Sequence, residues 1–77
     1  MAPRILQRAT LSDRVTTLLR ENIVSGQLPA GRQLKQEELS DRFGVSMSAL
    51  REALRTLHSD GLVTMMPNRG AQVSTLS

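Results

Sequence analysis

The sequence predicts one small, mainly α-helical domain closed by an antiparallel β hairpin. Three observations carry that reading. A long amphipathic segment runs from Leu11 to Ile23, two shorter ones meet at Gly44, and a strand–turn–strand pattern follows Asp60-Gly61. The 77 residues make one domain, near the lower limit for a core that stands without staples.

Met1 to Ala9 holds Arg4, Arg8 and Pro3 without lasting periodicity, and residues 1–9 are expected to form a flexible basic arm. Thr10 and Asp13 then resemble a capping box with aspartate in place of glutamate. From there Leu11, Val15, Leu18, Leu19 and Ile23 form an apolar stripe that packs inward over about three and a half turns, ending at Gly26. Arg14 and Arg20 are expected on its solvated side. Gln27 to Gln33, with Pro29 and Gly31 and no apolar period, reads as a turn-rich connector. Leu34 is then the apolar residue before the next helix, and a short strand through Arg32 to Leu34 fits there, paired with the C-terminal sheet.

The central stretch runs from Gln36 to Arg55. Leu39 and Phe43, four apart, give its first helix an apolar stripe, and Gly44 is a left-handed stop. Glu37, Glu38 and Asp41 favour the dipole of that helix as structural charges. Val45 can plug the corner, and Ser46 is a good N-cap for a second helix because its hydroxyl accepts an orphan backbone N–H. Leu50, Ala53, Leu54 and Leu57 repeat at helical spacing and face inward. After the Asp60-Gly61 cap, Leu62 to Met66 is strand-like, Pro67 to Gly70 is a turn, and Ala71 to Ser74 returns. Helix, helix, helix and hairpin in that order make a winged helix-turn-helix over residues 10–74, with the helix-turn-helix at about 36–55 and the wing at about 62–74. Residues 75–77 read as the start of a linker.

The outer side of the second motif helix is the informative part. At roughly 100° per residue, Met47, Ser48, Arg51, Arg55 and His58 fall within about one third of the circumference, with Glu52 at the margin. A polar, partly basic face at a helix N-terminus suits a helix laid in the DNA major groove. The bland alternative for the same i,i+4 pair is that Arg51 and Arg55 are ordinary solvated side chains. The net charge of +3 comes from nine arginines and one lysine against seven acids. Guanidinium forks grip phosphate or guanine in a bidentate way.

Other functions lose support from what the chain lacks. Without cysteine there are no disulfides or thiolate metal sites. Phe43 is the only aromatic residue, too little for a base-stacking platform. His58 is the only histidine, and no Gly-rich phosphate loop or partnered nucleophile accompanies it, so no enzyme, cofactor or metal site is expected. No apolar run approaches membrane-spanning length and no secretory leader is visible; a cytoplasmic protein is expected.

Several segments together resemble a known family: residues 23–31 (IVSGQLPAG), Leu39-Ser40, Gly44-Val45-Ser46, Leu50 to Leu54 (LREAL) and Asp60 to Val63. They look like the DNA-binding domain of GntR-family transcription regulators, in the right order and spacing across residues 10–74. The interval from Leu34 to Leu39 is similar to the FadR-like branch, whose members carry an all-helical ligand-binding domain. The resemblance implies a cytoplasmic, usually repressing regulator that binds a palindromic double-stranded DNA operator as a homodimer. It places a recognition helix in the major groove and a wing tip near the minor groove. A small-molecule effector would be held by a C-terminal domain absent from this chain. Residue by residue, Arg51 matches the family's recognition-helix arginine, and Ser46 and Ser48 match hydroxyl positions that touch phosphate and base edges. Asn68, Arg69 and Gly70 match the wing tip, while Lys35 and Arg55 are further DNA-contact candidates. The departure is Met47, where the family usually has arginine, followed by Ser48-Ala49 where threonine-proline is common. A lost guanine contact is worth roughly 1–3 kcal/mol; either the chain reads a different half-site, by a methyl contact from Met47, or it binds more weakly. The alternative to DNA binding is a winged helix that contacts protein, with Arg51 and Arg55 pairing acids on a partner.

Overall fold

The computed structural model describes residues 10–67 and 70–75. The expected N-terminal arm, the wing residues Asn68 and Arg69, and residues 76–77 lie outside them. Helix α1 (Leu11–Ser25) leads to strand β1 (Gln33–Leu34). Helices α2 (Gln36–Phe43) and α3 (Met47–Ser59) follow. Strands β2 (Val63–Met66) and β3 (Gly70–Val73) complete a mainly helical winged helix-turn-helix.

The start of α1 is set by a reciprocal cap. The Asp13 amide donates to the Thr10 hydroxyl and the Thr10 amide to the Asp13 carboxylate, both at 3.1 Å. The inward face of α1 is narrower than its apolar stripe. Val15 and Leu19 are buried, but Leu11 and Leu18 are exposed and Ile23 only partly covered. Thr16 is buried in their stead, its hydroxyl donating to the Ser12 carbonyl at 2.7 Å, which satisfies the polar atom inside the core.

Helix α3 is the central post. Leu50, Ala53, Leu54 and Leu57 are fully buried, and α3 packs against α1, α2 and β2. Burying each leucine contributes roughly 1.5–3 kcal/mol. Leu28 joins this core although its connector has no apolar period; its amide donates to the Asn22 carbonyl at 3.0 Å, folding the chain back under the end of α1. Arg20, expected in solvent, pairs with Asp60 at 2.5 Å and ties α1 to the C-terminal cap of α3.

The sheet has the order β1-β3-β2, all antiparallel. Val63 to Met66 face Val73 to Gly70 in register, and Gln33 and Leu34 face Gln72 and Ala71. The hairpin expected from sequence is thus two strands of three, with β3 central. β1 is further clasped by a bond from the Gln72 side-chain amide to the Gly31 carbonyl at 3.0 Å.

Gly70 opens β3 with φ of 90° and is buried. A side chain there would be driven into the Leu34 carbonyl oxygen and lie 3.2 Å from the Gln36 amide. Its identity therefore follows from close backbone approach to β1 and α2. Gly70, expected in the wing turn as a DNA-contact candidate, is the buried first residue of β3.

Candidate nucleic-acid interface

Entry to α3 is fixed by the turn before it. Gly44 adopts φ of 65°, the left-handed conformation that ends α2. Ser40 and Val45 then exchange two bonds: the Val45 amide donates to the Ser40 carbonyl at 3.1 Å, and the Ser40 hydroxyl donates to the Val45 carbonyl at 2.7 Å. Val45 is half-buried against the core, at the corner it was expected to fill. The sequence singles out Leu39-Ser40 only as part of the family resemblance and gives Ser40 no role of its own. Its two bonds tie the turn residue Val45 to the last turns of α2.

Ser46 caps α3, its hydroxyl accepting from the Ala49 amide at 3.2 Å while its carbonyl accepts from Leu50. A hydroxyl that accepts in this way still has its own proton to donate. The first amides of the helix, those of Met47 and Ser48, have no partner within it. No acidic residue lies in the first turn of α3. Two open N–H groups and the positive end of the helix dipole make this end attractive to an anion.

Ser46, Ser48, Arg51 and Arg55 are exposed and Met47 is half-buried. Arg51, Arg55 and His58 continue the outer face, and the His58 Nδ1 lies 3.2 Å from the Val63 carbonyl, linking the far end of α3 to β2. Neither Arg51 nor Arg55 forms an ion pair among the described residues, so both guanidiniums remain available. Glu52 departs from expectation: it is exposed, and at about 100° per residue it lies only some 40° beyond Ser48, well inside the outward arc. The face is therefore basic along one flank and carries one carboxylate on the other.

Lys35 is exposed at the N-terminus of α2 and makes no side-chain cap bond. It is flanked by Leu34 and Gln36, the two residues that crowd Gly70, so the fold brings Lys35 beside the start of the wing's return strand. Asn68 and Arg69 fall outside the described residues.

An open depression of about 260 Å³ lies elsewhere, lined by Asn22, Gln27, Leu28, Arg32, Leu39, Arg42 and Phe43, and includes none of these candidate residues. Among the described residues no group of three or more His, Asp or Glu could hold a metal ion. No helix among them is long and apolar enough to cross a membrane.

Comparison with known proteins supplies an independent line. The family model described as "Bacterial regulatory proteins, gntR family" matches residues 11–73. The HTH-type transcriptional repressor RspR of Escherichia coli K12 is 34% identical over 67 residues, covering 87% of this chain and 29% of the relative. The gluconate operon transcriptional repressor of Bacillus licheniformis is 38% identical over 60 residues, covering 78% and 25%. A crystal structure of a GntR-family transcriptional regulator from Pseudomonas syringae pv. tomato DC3000 superposes with a TM-score of 0.76 at 39% identity, covering 86% of this chain and 28% of that one. The chain thus spans between a quarter and a third of the length of these proteins.

Proposed function

We propose, because this chain belongs to the gntR family of bacterial regulatory proteins, that it reads a DNA operator for a transcription regulator by laying the N-terminal half of α3 in the major groove. The observation that carries this is the division of α3. Leu50, Ala53, Leu54 and Leu57 are fully buried, while Ser46, Ser48, Arg51 and Arg55 stand in solvent around the N-terminal end of the helix, whose dipole attracts an anion. Arg51, one turn in, is assigned to a guanine edge, where a bidentate fork matches the O6 and N7 acceptors. Ser46 and Ser48, with the Met47 and Ser48 amides, are assigned to backbone phosphate, Arg55 and Lys35 to flanking phosphates, and Asn68 and Arg69 to the neighbouring groove.

The full-length regulator is proposed to be a cytoplasmic homodimer on a palindromic operator. Two α3 helices would then meet half-sites about one helical turn apart. Relatives named as repressors support a repressing role, and a small-molecule effector is assigned to a domain outside this chain. No catalytic step is assigned.

The test is selection of bound duplexes from a random pool, followed by affinity measurements on the selected half-site. Arg51→Ala is expected to abolish preference for that site over scrambled DNA while leaving the circular dichroism spectrum and melting temperature unchanged, since Arg51 is exposed and Leu54 holds the core. Equal affinity of wild type and Arg51→Ala for the selected site would overturn the assignment. Binding to an acidic protein partner with no duplex preference would favour the protein-contact alternative.

A further inference from the structure

We propose that Met47 reads the C5-methyl group of a thymine and so decides which base pair the first turn of α3 accepts. This deepens the reading of α3 as a recognition helix and rests on it.

Met47 is the first residue of α3, at the end from which a recognition helix reaches base edges. Its side chain is half-buried, yet it is not among the partly covered apolar residues packed on the core, which are Ile23, Phe43, Val45, Leu62 and Met65. It stands between the exposed hydroxyls of Ser46 and Ser48 and one turn before Arg51. An apolar side chain is therefore held at the rim of the outward arc without serving the interior.

The chemistry of the groove narrows what such a side chain can recognise. A thioether has no hydrogen-bond donor and accepts weakly. Of the groups that base pairs present in the major groove, the thymine methyl is the apolar one; the others are donors and acceptors. Set against guanine, adenine or cytosine, Met47 would strip water from a polar edge and offer nothing back, which is unfavourable. Set against thymine, it covers a methyl group, and its three rotatable bonds let it adjust to the position of that methyl. Met47 and Arg51 are four residues apart, about 6 Å along the helix. The thymine is accordingly expected within about two base-pair steps of the guanine taken by Arg51.

The experiment uses the selected half-site with single replacements. Each thymine is changed in turn to deoxyuridine, which removes the methyl and keeps the pairing. The wild-type chain is expected to lose about fourfold in affinity at one thymine position, the size of one buried methyl. Met47→Ala is expected to bind the thymine and uracil versions of that position equally, and Met47→Leu to keep the difference. Replacing the whole pair by cytosine-guanine should weaken wild-type binding, and 5-methylcytosine in that pair should recover part of it. Indifference of the wild type to uracil at every position overturns the proposal, as does undiminished uracil sensitivity in Met47→Ala. If Met47→Ala does not fold, the wild-type series still decides. Specific binding without methyl sensitivity overturns this inference alone; failure to select any sequence overturns it together with the recognition-helix reading.

Discussion

Replacing Gly70 by alanine tests whether the junction of β1, α2 and the wing is as close as the structure indicates. Two costs are expected. The residue sits at φ of 90°, outside the range L side chains favour, which costs roughly 1–2 kcal/mol. The new methyl also meets the Leu34 carbonyl and the Gln36 amide, backbone atoms that can retreat only if β1 or α2 moves. Overpacking of that kind adds about 1–3 kcal/mol. The sum is about 2–5 kcal/mol, and at about 4–8 °C per kcal/mol for a domain of this length the melting temperature should fall by at least about 8 °C. Gly44→Ala supplies the control. Its φ is 65°, but nothing lies within 4 Å of the added carbon, so only the conformational cost of roughly 1–2 kcal/mol applies. Thermal unfolding followed by circular dichroism on both variants separates the two contributions. Should Gly70→Ala melt at or above Gly44→Ala, the steric argument is wrong and β3 does not press on β1 as described.

Two further outcomes concern the ends of helices. Ser46→Ala should destabilise the domain by about 1 kcal/mol through loss of its cap; Ser46→Asp should restore the melting temperature yet bind DNA worse than wild type, since a carboxylate caps but repels phosphate. Lys35→Ala should leave melting unchanged, weaken specific and non-specific duplex binding alike, and lower the slope of log K against log salt by about one unit if Lys35 meets a phosphate, as titrations at several salt concentrations will report.

Much of this architecture was legible because its signals are local. Thr10-Asp13, Gly44, Ser46 and the period of Leu50, Ala53, Leu54 and Leu57 each announce their structure within four or five residues. What escaped depends on distant partners. Leu28 looks like a stray residue in a polar connector until the end of α1 closes over it. Leu11 and Leu18 extend a stripe past the edge of what the core can cover, and periodicity cannot say how wide the covered arc will be. Arg20 and Asp60 are forty residues apart and share no motif. Gly70 reads as an ordinary turn glycine because the strand that crowds it lies far upstream. On the candidate site, the helical wheel separated inward from outward residues well but put Glu52 at the margin of the face rather than inside the exposed arc, since the true centre of that arc is defined by which neighbours cover the rest.

The double life of α3 bears on how such a domain can change its target. Because the hydrophobic half of that rod is shared by the whole molecule, while Ser48, Arg51 and Arg55 are exposed and Met47 lies outside the core, substitutions at 47, 48, 51 and 55 are only weakly coupled to folding. New preferences can arise there one residue at a time, without a detour through misfolded intermediates. A panel of chains differing only at those four positions would be a library of specificities on a common chassis.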